Sequence, residues 1–180
     1  MFDFILTDFM DIREALLKEH SKSQCRKIVE YIGDDKKKFA ELMRLFLEDE
    51  YRVIQRAAWP LSYCVDGHPE LITPYVEDLL RVLKKQDVHN AVIRNTTRLL
   101  QNLKIPKKNQ GRLMTICFDF ISDRNTPAAV KAFSLTILDN LSKDYPEIAS
   151  ELKLVIEERW DHETAAFRSR GKKILQKMNS

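Results

Sequence analysis

Thr164-Ala-Ala-Phe-Arg168-Ser-Arg-Gly171 repeats the pattern of three earlier stretches of the same chain. These are Tyr51-Arg-Val-Ile-Gln-Arg56-Ala-Ala-Trp59, His89-Asn-Ala-Val-Ile-Arg94-Asn-Thr-Thr97 and Pro127-Ala-Ala-Val-Lys131-Ala-Phe-Ser134. Each carries a basic residue, and in all but the first an apolar residue precedes it. In three of the four a small residue follows three positions later. The basic residues stand at 56, 94, 131 and 168, so the intervals are 38, 37 and 37. A period in this range marks an array of supersecondary units. Arg26, 30 residues before Arg56, marks a shorter first unit.

Two further series keep the same step. Asp49, Asp87, Asp123 and Asp161 precede the basic residues by 7, 7, 8 and 7 positions. Each falls where one helix ends and the next begins. The expectation is that the Asp caps the incoming helix and that the basic residue two turns on reaches it. This gives a structural ladder of Asp49/Arg56, Asp87/Arg94, Asp123/Lys131 and Asp161/Arg168. Recurrence once per unit suits a structural tie, whereas catalysis needs its residues once. Pro69, Pro106 and Pro146 form the third series, each opening a helix where a missing N–H costs nothing.

Apolar residues at helical spacing fill the intervals, as in Leu71, Ile72, Tyr75, Val76, Leu79, Leu80 and Leu83. Strand-like alternation is absent. The layout predicts first helices over 2–18, 35–48, 69–85, 107–121 and 146–160. Second helices fall over 21–33, 50–66, 88–103, 126–143 and 162–178. The second-helix pattern, with His68-Pro-Glu-Leu-Ile-Thr-Pro74-Tyr-Val-Glu-Asp-Leu-Leu80 as a proline-kinked first helix, resembles the HEAT-repeat (armadillo-like) superfamily. The resemblance implies an all-α fold, a right-handed α-α superhelix (solenoid) of about five HEAT-like hairpins. It implies one HEAT-like repeat domain over 1–180. It is almost silent on function, because this repeat serves many roles.

Composition agrees with a helical protein. Only 4 glycines and 6 prolines occur in 180 residues, too few for a sheet protein rich in tight turns. Formal net charge is +3, short of the bias that points to nucleic acid by itself. Cys25, Cys64 and Cys117 are odd in number and far apart, so they read as reduced core residues of a cytoplasmic protein. The start of the chain lacks a basic leader, and no stretch is long enough to span a membrane. Phe2, Phe4, Ile5, Phe9 and Met10 read as an apolar end cap or a dimer contact, with a cap and a monomer expected.

No catalytic residues, cofactor or metal site are expected. His20, His68, His89 and His162 lie at predicted helix ends without ligand spacing. GxGxxG, P-loop and GxSxG motifs are absent. Candidate ligand-binding residues are therefore those that break the repeat. Trp59 stands where other units place a small residue, Pro60 should kink its helix, and Tyr63 lies one turn on. The plainer reading is a bulky residue filling space beside the short first unit. Asn95, Arg98 and Asn102 make a polar strip on the second helix of the third unit; the plainer reading is an ordinary solvated face. Lys104, Lys107, Lys108 and Arg112, with Lys36-Lys37-Lys38, make a basic edge opposite an acidic one. Solubilising lysines are the plainer reading there.

The expected function is a non-catalytic module that binds a protein or peptide partner on its concave face. The alternative is nucleic-acid binding. Val53-Ile-Gln-Arg56-Ala-Ala-Trp59 resembles the second-helix wording of HEAT-like DNA glycosylases acting on alkylated bases. That resemblance would imply aromatic side chains and an acid in a basic groove, and no residue here maps onto the acid. A chromophore-lyase-like enzyme has no residue support.

Overall fold

Helix starts in the computed structural model follow capping side chains. The structure describes residues 9–85 and 88–178. Asp11 accepts from the Glu14 N–H at 3.0 Å and opens α1 (Ile12–Lys18). Ser21 does the same for α2 (Lys22–Ile32) through the Gln24 N–H, at 3.1 Å. Asp35 takes two N–H groups, those of Lys37 and Lys38, at the start of α3 (Lys36–Glu48). Each satisfies donors that the helix leaves without partners. Gly33 closes α2 at φ +50°, a conformation that costs glycine little, and donates its N–H to the Val29 carbonyl at 2.8 Å.

The chain divides at Ile72/Thr73 into two compact units, 1–72 and 73–180. The first holds α1, α2, α3 and α4 (Tyr51–Gly67), followed by a 3-10 turn at Pro69–Leu71. Two hairpins stack here, with α2 against α4 and α1 against both α3 and α4. Phe39, Leu42, Met43, Leu45, Phe46 and Val53 are fully buried between them. The second unit opens on a 3-10 turn at Thr73–Tyr75. It continues with α5 (Val76–Lys84), α6 (Asn90–Leu100), α7 (Lys107–Ser122), α8 (Ala128–Leu141), α9 (Glu147–Arg159), a 3-10 turn at Trp160–His162, and α10 (Ala165–Met178). Its first helices α5, α7 and α9 adjoin one another, as do its second helices α6, α8 and α10, and α7 packs on α8. Leu79, Leu113, Cys117, Leu135, Leu152, Ile156 and Phe167 are buried in that core.

The described residues are thus all-α, with five helix pairs as expected. The predicted helix 69–85 is the main departure. Pro74 has no N–H to donate to a continuing α-helix, and two 3-10 turns, at Pro69–Leu71 and Thr73–Tyr75, precede α5. Pro60 behaves differently. It is buried within α4, which runs through it from Tyr51 to Gly67. Of the proposed apolar cap, Phe9 is 87% exposed; Phe2, Phe4 and Ile5 lie outside the described residues.

Apolar burial outweighs surface charge in holding the hairpins together. Fully burying one side chain such as Phe167 contributes about 1.5–3 kcal/mol. An exposed pair such as Arg44–Glu41 contributes about 0–1 kcal/mol. The small-residue series serves this packing. Thr97 and Ser134 are fully buried, and a Cβ on Gly171 would stand 2.9 Å from Ile156 Cγ2 and 3.5 Å from Trp160 Cζ3. Gly171→Val should therefore overpack the contact of α10 with α9 and cost about 1–3 kcal/mol, read as a lower Tm. An unchanged or raised Tm would show that Ile156 moves aside freely.

Candidate interaction surface

Of the ladder expected within each repeat, Asp49, Arg56 and Lys131 bond neighbouring repeats instead. Asp49, at the end of α3, does not bind Arg56. It accepts from Arg13 Nε at 3.0 Å and Nη2 at 3.1 Å, from the preceding hairpin. Arg56 reaches back as well, donating to the carbonyls of Leu16 and Leu17 at 2.9 Å each. It thereby places a cation on the last turn of α1, where helix carbonyls have no partner. Glu50, not Asp49, is the residue before α4, and it makes no side-chain cap. Geometry explains the change. Asp49 closes α3 and faces the hairpin before it, out of reach of a residue two turns inside α4.

Asp123 likewise closes α7 and braces its own turn, accepting from the Asn125 N–H at 3.1 Å and from Thr126 Oγ1 at 2.9 Å. Its basic counterpart Lys131 is buried and bonds Glu163 Oε1 of the next repeat at 2.5 Å. Arg159 Nε and Nη2 reach the same oxygen at 2.9 and 2.8 Å. Asp161 is exposed in the 3-10 turn, and Arg94 and Arg168 are exposed on α6 and α10. Asp87 lies outside the described residues. Arg13, Arg159 and Glu163 were missed because they fall outside the repeating wording. Their separations, 36 for Arg13–Asp49 and 32 for Lys131–Glu163, are the signal that could have found them.

Trp59 and Tyr63 sit on α4. Trp59 is half-buried, edge-on to His20 with ring centroids 5.4 Å apart, beside the short α1–α2 turn. Tyr63 is exposed. The Asn95/Arg98/Asn102 strip is not a single solvated face. Asn95 is buried at 5% exposure because its side of α6 packs inward with Thr96 and Thr97. Arg98 is half-buried, and Asn102 is exposed beyond the end of α6. Of the basic edge, Lys104, Lys107 and Lys108 are exposed. Arg112 is committed to an ion pair with Glu77, whose carboxylate also accepts from Asn109 Nδ2 at 2.8 Å.

The charge asymmetry of the second unit runs from face to face. Its second helices α6, α8 and α10 carry eight cations (Arg94, Arg98, Lys131, Arg168, Arg170, Lys172, Lys173 and Lys177) and one acid, Asp139. Its first helices α5, α7 and α9 carry seven of each sign. Lys177 is held by Asp139 at 2.6 Å and Lys131 by Glu163. Arg94, Arg168, Lys172 and Lys173 remain exposed. Among the described residues no group of three or more His, Cys, Asp or Glu can hold a metal ion, and no helix is long and apolar enough to cross a membrane. Burial pushes the Cys64 and Cys117 thiols up to about 12.

Burial tends to raise the Glu163 carboxyl, but hydrogen bonds from Lys131 and Arg159 outweigh it and hold the group below its ordinary range. A carboxylate lowered in the folded state adds stability above its unfolded value, and that stability is lost as pH falls through the folded value. Stability should therefore decline as pH drops below about 4. Glu163→Ala should shrink that decline and cost about 3–5 kcal/mol at neutral pH, since it leaves two cations without their acid. Urea unfolding at pH 7 and pH 3 measures both effects; an unchanged midpoint at pH 7 would refute them.

The repeat wording, the helix pairs and the stacked layers agree with the family comparison. The family model described as HEAT repeat domain matches residues 12–178. No curated protein and no solved structure matches the chain. The match spans both compact units and nearly all of the sequence, and the chain belongs to the HEAT repeat domain family.

Proposed function

We propose that the chain is a non-catalytic interaction module that binds an acidic segment of a protein partner on the surface of α6, α8 and α10. HEAT repeats generally serve protein interaction, and extended solenoid faces suit that task. The single observation that carries the partner's charge is the set of exposed cations on these helices, Arg94, Arg168, Lys172 and Lys173, where the one acid, Asp139, is already paired with Lys177. Complementary charge steers encounter and fixes register. Three buried, unpaired thiols fit a reducing compartment such as the cytoplasm.

The same cations favour one second reading, binding of nucleic acid through its phosphates. A protein partner fits better, because base stacking needs exposed aromatic rings and the one aromatic on α6, α8 and α10 besides buried Phe167 is half-buried Phe133. The test is an affinity capture from native lysate with the wild type and with Arg168→Glu/Lys172→Glu/Lys173→Glu, which alters exposed positions only. The expected result is a protein partner that survives nuclease treatment and is lost with the variant. Loss of all partners on nuclease treatment would move the assignment to nucleic acid. Equal capture by the folded variant would remove this surface from consideration.

A further inference from the structure

A cavity of about 250 Å³ opens where the α7–α8 turn meets the α9–α10 turn, lined by Arg124, Lys131, Arg159, His162, Glu163 and Thr164, with Thr126 and Ala128. Its charge is unbalanced. Lys131 and Arg159 together place three donors on one oxygen, Glu163 Oε1. Two cations thus share one carboxylate, and their side chains are only 3% and 18% exposed, so water screens the surplus poorly. Asp123, just outside the lining, is bonded by the Asn125 N–H and Thr126 Oγ1 and is also attracted to Lys131 and Arg159, so it offsets part of that charge. Arg124 adds a third cation at the rim, and His162 an imidazole, so three cations stand against two acids. Ala128, the first residue of α8, follows a start with no side-chain cap, so the positive end of that helix contributes at the same place.

Guanidinium and ammonium groups around a small space suit a compact oxyanion, which takes charge-assisted bonds from several directions. Cavities for drug-sized ligands run from about 300 to 1,000 Å³, and this one falls just below. It has room for a tetrahedral group, whereas a nucleic-acid backbone needs an extended groove. We propose that this cavity binds a phosphate dianion, either inorganic phosphate or the monoester of a phosphorylated side chain. The site adjoins the proposed partner surface, since Ala128 and Lys131 belong to α8, but its binding of phosphate does not depend on that reading.

The test is calorimetric titration of the whole chain with inorganic phosphate at fixed ionic strength. Saturable one-to-one binding is expected, weakened at least tenfold by Arg124→Glu and by Arg159→Gln and unchanged in Lys172→Glu, which lies outside the cavity. Arg124 is exposed, so its variant decides the matter if Arg159→Gln proves unstable. A phosphoserine peptide and its unphosphorylated parent separate the sources. Tighter binding of the phosphopeptide, with the same dependence on Arg124, assigns the site to a modified protein; binding no tighter than phosphate assigns it to the free ion. The proposal is overturned by absence of saturable phosphate binding, by equal affinity in Arg124→Glu, or by loss in Lys172→Glu.

Discussion

A single helical hairpin has two apolar stripes and cannot bury both by itself, so each repeat depends on its neighbour. Apolar contact supplies the attraction but is non-directional. Polar ties between neighbours set how they stack. In the first unit Arg13 meets Asp49 and Arg56 meets the last carbonyls of α1. In the second, Glu77 meets Asn109 and Arg112, Gln101 meets Asn140, Gln110 meets Tyr145, Lys131 meets Glu163, and Asp139 meets Lys177. These pairs lie 32 to 40 residues apart in sequence, about one repeat. A tie at that spacing joins equivalent parts of successive hairpins and penalises a slip of one helix past the next.

The ties also sort the charged residues. A cation held at an inter-repeat contact is taken up by the fold, and one left exposed on a second helix is available to a partner. Lys131, at 3% side-chain exposure, is held by Glu163 at such a contact. Lys172 and Lys173 are left exposed. Family membership supports interaction in general; the acidic partner proposed above rests on the charge distribution on α6, α8 and α10.

Much of the fold was legible in the sequence because repetition multiplies weak signals. Three residue series with one step gave the number of hairpins and most helix positions. Pro74 was read as a kink in one helix, yet together with Pro69 it replaces the start of that helix by 3-10 turns. The site was less legible for a physical reason. Spacing along one helix reveals which residues share a face but not which repeat that face meets. Asn95 therefore reads as a candidate ligand contact or part of a solvated face, although α6 turns it into the core. The ladder likewise paired Asp49 with Arg56 and Asp123 with Lys131 at seven and eight residues, when their partners stand a whole repeat away. Glu163 lies outside the repeating series, and nothing in its local sequence shows that Lys131 and Arg159 converge on it.

A double-mutant cycle on Lys131→Met and Glu163→Gln, set beside one on Asp123→Asn and Lys131→Met, tests the inter-repeat account most directly. Contacting residues couple by about 0.5–3 kcal/mol, and independent ones add to within about 0.3–0.5 kcal/mol. The account predicts clear coupling between Lys131 and Glu163 and much smaller coupling between Asp123 and Lys131. Strong coupling within the repeat, with Lys131 and Glu163 additive, would contradict it.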